Sequence, residues 1–199
     1  MKHLLNRLPQ ALRHFWRAED ASVIAEAVIV LPLLLWSYVG LFVYWDCFRS
    51  LNTMQKASYT VSDMLSRDRS TNGITSAYIT GLHKVLEYLI DKDQNASMRV
   101  TSVYWSGTNA DFEVHWSRTT NTTVLPELST ATLQNYIGQI PTMNVGDTAV
   151  IVEVRAPFVP VIDVGLFNAG IGNQVFSQFI VTRPRFHSCI VMDGILCPL

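Results

Sequence analysis

The feature that most constrains this chain is an uninterrupted apolar run near its beginning. Residues 27 to 45 read AVIVLPLLLWSYVGLFVYW, 19 residues without a charge. A helix rises about 1.5 Å per residue, so about 20 such residues match the roughly 30 Å hydrocarbon core of a bilayer. The run therefore predicts a transmembrane helix, with a buried core helix and a cleaved secretory signal as the alternatives.

The flanks of the run favour a helix that stays in the membrane. A secretory signal has an apolar region of about 7–15 residues followed by a small-residue cleavage site. Here the run is longer, it ends in Tyr44 and Trp45, and Phe48 follows. Aromatic side chains in such positions are typical of the interface between lipid and water.

The distribution of basic residues predicts the orientation of the helix. Four basic residues precede the apolar run, and two follow it within about twenty positions. Those before it are Lys2, Arg7, Arg13 and Arg17, and those after it are Arg49 and Lys56. Because cytoplasmic flanks carry the excess of Lys and Arg, we expect the N-terminus in the cytoplasm. No second stretch is long enough to span, so the chain should cross once and export everything after Trp45.

Composition excludes several other classes of protein. Charged residues make up 16% of the chain and hydrophobic residues 49%, which excludes intrinsic disorder. A net charge of −1 gives no general case for nucleic-acid binding. The shortage of charge is concentrated in residues 119–146 and 157–182, which carry one charge each, so we expect contacts with partners there.

Glu26 and Pro32 are unusual residues for an apolar helix. A carboxylate at the bilayer centre costs about 2.5–3.5 kcal/mol on insertion scales. Glu26 should therefore be paired, protonated or functional, or else reach back to headgroup water. Pro32 lacks a backbone N–H, which frees the carbonyl of Val28 and predicts a kink or a local unwinding.

The run from Ala21 to Pro32, ASVIAEAVIVLP, preceded by FWR and two acidic residues, carries a family resemblance. It resembles the N-terminal motif of TadE-like proteins, the minor pseudopilins of the tight-adherence (Tad, or Flp) branch of bacterial type IV pili. Those proteins have a basic leader, a cleavage point, a Glu at the fifth mature position and a Pro six positions later. With Ser22 as the first mature residue, Glu26 and Pro32 take these positions. Ala21 stands where processed members usually have Gly, so cleavage between Ala21 and Ser22 stays open.

The resemblance implies a non-enzymatic, pseudopilin-like structural or assembly subunit of a Tad pilus. It would lie in the bacterial inner membrane with its C-terminal domain in the periplasm, and could enter the pilus. Its partners would be other pilin or pseudopilin subunits, the assembly machinery, a prepilin peptidase and the lipid bilayer, without a cofactor, a metal ion or nucleic acid. The alternatives are an unprocessed bitopic assembly factor and a tethered exported enzyme.

The resemblance also implies a role for Glu26. Cleavage would create a positive α-amine on Ser22 within the apolar zone, where an unpaired charge is unfavourable. The Glu26 carboxylate could neutralise that amine in its own chain, one turn away, or in an adjoining subunit. Pairing between subunits would set the axial register of neighbouring helices.

The helix is expected to continue beyond the membrane. Residues 46–67 contain no Pro or Gly, and one stripe recurs at spacings of three and four: Phe48, Leu51, Met54, Ser58, Val61 and Leu65. We expect an amphipathic stem whose stripe packs against other subunits, docks on this chain's own sheet, or does both.

The remaining sequence predicts a small α+β domain with an antiparallel sheet and two helices. Helices are predicted at 78–90 and 133–140, strands at 98–105, 111–117, 148–156 and 175–182, and a hairpin loop at 106–110. The predicted organisation is a cytoplasmic leader at 1–21, a transmembrane helix at 22–45, a stem and hinge at 46–70, and an exported domain at 71–199.

The sequence offers no catalytic or metal-binding motif, and its cysteines are more informative. The five histidines are scattered, and none is paired with a Cys or His at a ligand spacing. Cys189 and Cys197 would lie in an oxidising compartment, where we expect a disulfide that pins the tail, with free thiols as the alternative. Cys47 is expected to be a small buried residue or to form a disulfide between subunits.

The apolar segment 157–172, PFVPVIDVGLFNAGIG, contains too much Pro and Gly for a helix or a regular strand. It predicts a loop that either folds over its own core or presents Phe158 and Phe167 to a partner.

Overall fold

The computed structural model describes residues 20–70, 73–90, 95–162 and 174–197. The fold is α+β, as predicted, with one long helix followed by a domain built on a four-stranded antiparallel sheet. The elements are α1 (Asp20–Ser66), α2 (Ser76–Ile90), β1 (Ser97–Ser106), β2 (Asp111–Thr119), α3 (Thr130–Leu133) with a following 3-10 helix (Gln134–Gln139), β3 (Thr148–Phe158) and β4 (Gln174–Thr182).

The sheet has the strand order β2-β1-β3-β4, and a bulge in β2 divides that strand between two cores. Ser102 pairs with Trp116 but Val103 pairs with Val114, so His115 is the extra residue. An extra residue reverses the facing of everything beyond it. Trp116 therefore packs on the opposite side of the sheet from Phe112. Phe112, Val114 and Trp116 alternate in the sequence, which predicts one common face, and the bulge makes that prediction wrong for Trp116.

The helices α1 and α2 cover one face of the sheet and enclose what we call the helix-side core. Stem residues Met54, Ala57, Val61 and Leu65 are buried there, at the three- and four-residue spacing that places them on one side of a helix. They meet α2 and the inward residues of β1 and β3, including Ile79, Leu82, Leu86, Met98, Val150, Val152 and Val154. The stem stripe thus docks on this chain's own sheet from Leu51 onward, whereas Phe48, its first predicted residue, is exposed.

The chain between β2 and β3 covers the other face and encloses the far-side core. Leu128, Leu133 and Ile140 of this segment pack against Val103, Phe112 and Ile151 of the sheet. The predicted helix at 133–140 is here only one α-helical turn capped by Ser129, followed by the 3-10 helix. Gly138 and the preceding Asn135 are poor α-helix formers, and Pro141 ends the segment.

The prediction of a loop from Pro157 is wrong at its start, because Pro157 and Phe158 are the last residues of β3. The pairing explains how proline is accommodated there. β1 begins at Ser97, opposite Arg155, so the end of β3 beyond Arg155 pairs only with β4. A missing N–H is tolerated where a strand has one open side.

A buried ion-pair network ties the far-side cover to the sheet. Arg99 of β1 and Glu153 of β3 are 3% and 2% exposed, and the Arg99 guanidinium donates to the Glu153 carboxylate. The second Glu153 oxygen accepts from Arg155 at 3.0 Å. Arg99 also donates to the carbonyl of Pro126, so the network reaches the covering segment. Each charge is paired, which buried charges require.

Replacing Glu153 with Ala should destabilise the fold by about 3–5 kcal/mol, because it leaves the Arg99 cation buried without its partner. The matched control is Glu127→Ala, whose surface pair with Arg118 at 3.7 Å should contribute less than about 1 kcal/mol. Urea unfolding of the full chain in detergent, followed by tryptophan fluorescence, measures both. Equal midpoints for the two variants would contradict the role given to the network.

Candidate functional site

The first half of α1 is an exposed apolar surface. Only 6% of the most apolar 18-residue stretch of α1 is buried in the protein. Large side chains such as Ile29, Tyr38 and Leu41 are exposed to the surroundings. Soluble monomers rarely expose apolar surface on this scale. One helix of this length and composition is compatible with a single-pass membrane anchor.

An aromatic cluster marks the point where the uncharged run ends. The rings of Tyr44 and Phe48 lie 4.7 Å apart between centroids, and those of Phe42 and Trp45 lie 6.1 Å apart. The guanidinium of Arg49 lies 5.5 Å from the centre of the Trp45 ring, a cation–π distance. Aromatic rings beside a snorkelling Arg are typical of the lipid–water interface.

The residues of the predicted cleavage site, Ala21 and Ser22, lie at the start of α1. The backbone of Ala21 and Ser22 belongs to the first turn of the helix, and their side chains lie outside the described residues. Glu26 is exposed on α1 and, within the described ranges, has no hydrogen bond or ion pair. The α-helix continues without interruption through Pro32. Glu26 is therefore available to a group outside this set of residues.

A cleft of about 380 Å³ lies between α1 and the end of α2, just beyond the aromatic cluster. Asp46, Arg49 and Thr53 line one side, and Tyr88 and Leu89 line the other. The end of α2 therefore lies level with the part of α1 that leaves the uncharged run.

Cys47 lies half-buried beside this cleft and packs against the helix-side core. Burial, and then the neighbouring Asp46 carboxylate, raise the pKa of its thiol. Since the thiolate is the reactive form, this environment slows oxidation. The packing favours the small buried residue over the disulfide between subunits.

The C-terminal residues 189–197 form a segment that we call the C-terminal clasp. Cys189 and Cys197 form a disulfide with a Cα–Cα distance of 5.9 Å. The loop between them turns at Asp193 and Gly194, which both have positive φ. Cys189, Ile190 and Met192 are buried in the body of the domain.

The clasp is hydrogen-bonded both to the start of α2 and to β2. The backbone N–H of Ile74 donates to the carbonyl of Val191 at 2.9 Å, and Ser76 donates to Asp193 at 2.6 Å, just before α2 and at its start. The indole N–H of Trp116 in β2 donates to the carbonyl of Ile190 at 2.8 Å. The chain that follows the predicted hinge is therefore held in place at Ile74 and Ser76.

Gly73 is required at that point. Its φ is 81°, a conformation that glycine adopts readily, and an added Cβ would meet the backbone of Val191. The clasp and the start of α2 can approach closely only because this position has no side chain.

Of the two phenylalanines considered for an interface, the structure describes only Phe158. Phe158 is buried in the helix-side core, where its ring stacks on Phe176 with centroids 5.4 Å apart. This contact favours a core role for Phe158 over an interface. Phe167 lies outside the described residues.

Sequence reasoning missed the Arg99–Glu153 pair and the depth of the clasp. A signal existed for each: Glu153 lies within the apolar run VIVEV, and the apolar residues Ile190 to Met192 lie between the two cysteines. In the part of the chain that the structure describes, no three His, Cys, Asp or Glu residues lie close enough to hold a metal ion.

Compared with known proteins, the chain matches no family model, no curated protein and no solved structure at a significant level. The resemblance to TadE-like proteins therefore rests on the N-terminal motif alone.

Replacing Cys189 and Cys197 together with Ser should lower the free energy of unfolding by about 2–3 kcal/mol, the chain-entropy value for so short a loop. Cys47→Ser is the control for loss of a sulfur without loss of the cross-link. Urea unfolding under oxidising and reducing conditions measures the difference. If the reductant destabilises the wild type and the double variant equally, the clasp does not depend on the disulfide.

Proposed function

We propose that the protein is a pseudopilin-like subunit of a Tad pilus. It is anchored in the bacterial inner membrane by α1, with a cytoplasmic N-terminus and a periplasmic domain, and it acts by packing against other subunits. The observation that carries the proposal is the continuity of α1. One helix holds Glu26, the exposed apolar run and the buried stem stripe.

The rigid connection between the apolar half of α1 and the domain supports a subunit in which the two move together. α1 has 47 residues, so it is about 70 Å long at the usual rise. Its distal half is fixed by Met54, Val61 and Leu65 in the core of the domain. A displacement of the apolar half along its axis therefore displaces the domain by the same distance, without an intervening flexible linker.

The exposure of Glu26 supports contact with another helix. A carboxylate on an exposed apolar surface is unfavourable in lipid unless it finds a partner. The α-amine of a processed neighbour has the opposite charge, and helices pack closely enough in membranes for polar groups to pair. The exposed surface of α1 supplies the remaining contact area.

The second candidate is an unprocessed membrane-anchored assembly factor of the same machinery. One observation favours it, because the bond between Ala21 and Ser22 lies inside the first turn of α1. A peptidase needs an extended substrate, so this turn would have to unwind before cleavage.

Intact mass spectrometry of the protein purified from its native membrane separates the two candidates. A chain that begins at Ser22 is expected for the pseudopilin, and a chain that retains residues 1–21 is expected for the anchor. Ala21→Gly should increase the cleaved fraction if the peptidase acts at this bond. If neither wild type nor Ala21→Gly is cut, processing at this bond is excluded.

Substituting Glu26 with Gln or Ala should reduce incorporation of the subunit into sheared pili by about tenfold or more, the loss expected from one charge pair of about 1.4 kcal/mol. Glu127→Gln, a change of the same chemistry on the domain surface, is the matched control. Quantitative immunoblots of pilus and membrane fractions measure incorporation at equal protein level. Normal incorporation of both Glu26 variants would contradict the proposed pairing.

A further inference from the structure

The topology brings four chain segments to one end of the domain, which we call the entry end. The opposite end is marked by α1 finishing at Ser66, whose carbonyl accepts from the N–H of Arg185, three residues beyond β4. Because β4 runs from Gln174 to Thr182, its first residue lies at the other end of the sheet. Phe158, the last residue of β3, pairs with Gln174 and lies there as well.

Lengths place the entry end level with the start of the stem. Nine residues of β4 extend about 30 Å, and twenty residues of α1 counted back from Ser66 extend about 30 Å to Asp46. The cleft independently brings the end of α2 to the same level, because Tyr88 and Leu89 lie across it from Asp46 and Arg49. The uncharged run of α1 therefore leaves the domain from this end.

The entry end carries exposed apolar side chains. Val159 is 68% exposed, Val161 84% and Val175 64%. Ile162 and Tyr88 are also exposed. Residues 156–162, APFVPVI, contain no charge and no side chain that donates or accepts a hydrogen bond. Exposing such an apolar surface to water is unfavourable. Its place beside the point where α1 leaves the domain indicates what covers it.

We propose that the entry end is a second membrane contact, in which Val159, Val161 and Ile162 insert into the interfacial region of the bilayer beside α1. The inference rests on the membrane placement of α1 in the proposed function. The aromatic cluster supports the depth, because Tyr44, Trp45 and Phe48 lie within about one helical turn of the residues of α1 that line the cleft. Interfacial apolar groups of this kind enter about 5–10 Å into the headgroup and acyl boundary.

The opposite end of the sheet supplies the internal comparison. Val145 is 71% exposed, similar to Val159 and Val161, and it precedes β3. It lies against the hairpin that joins β1 to β2, as its closeness to Gly107 demonstrates. A bilayer covering the entry end would leave Val145 in water.

Single-cysteine variants in a Cys47→Ser background test the proposal, with the Cys189–Cys197 disulfide kept oxidised. Val161→Cys, Val145→Cys and Leu35→Cys of the full chain are labelled with an environment-sensitive fluorophore and reconstituted into phosphatidylethanolamine–phosphatidylglycerol vesicles. The readouts are the emission maximum and the quenching by spin-labelled lipid. We expect the label at 161 to be quenched severalfold more than the label at 145, with emission shifted to shorter wavelength.

The remaining outcomes separate failure of the inference from failure of the proposed function. Quenching at 35 without quenching at 161 overturns the second contact and leaves the membrane helix in place. A shifted but unquenched label at 161 indicates a protein partner at the entry end and also overturns the proposal. Absence of quenching at 35 overturns the membrane placement itself. Near-UV circular dichroism confirms that each labelled variant retains the fold.

Discussion

The fold depends on one helix being stable in two different surroundings. From Val23 to Tyr38 all the side chains of α1 are exposed, whereas over its second half the helix turns one stripe inward, onto the sheet. The change occurs within about two turns, around Asp46 and Arg49, where charged residues appear again after the uncharged run. Because no glycine or proline interrupts α1 after Gly40, the two halves cannot reorient independently.

Covering both faces of the sheet explains much of the low charge content. β3 is buried along nearly its whole length because α1 and α2 pack on one side and the segment before it packs on the other. That segment, 119–146, is poor in charge because Leu125, Leu128, Leu133 and Ile140 are buried, so a shortage of charge there reflects the core. Both stretches nevertheless leave apolar side chains exposed, Val145 in the first and Val159 and Val161 in the second.

The helices and strands were predicted well where apolar residues recur at a regular spacing. The stem and the helix ending at Ile90 have clear three- and four-residue spacing, and the four strands have turn residues at their ends. The failures lie where a single residue changes the geometry. His115 adds a bulge that sends Trp116 to the other face, and Pro157 continues a strand whose neighbour has already ended. Glu153 within an apolar run signals a buried charge, but nothing local indicates that its partner is Arg99 on another strand.

The C-terminal clasp has a consequence for the order in which the domain can form. Met192 and Ile190 complete the helix-side core, and Val191 supplies the acceptor for the backbone of Ile74. About 115 residues separate Ile74 from the clasp. Because synthesis proceeds from the N-terminus, the clasp is made well after the residues that it contacts. Until residues 189–197 have been synthesised, the backbone N–H of Ile74 and the indole N–H of Trp116 lack the carbonyl acceptors that this segment supplies. The helix-side core is therefore completed only after residues 189–197 have been synthesised, later than α1, α2 and all four strands.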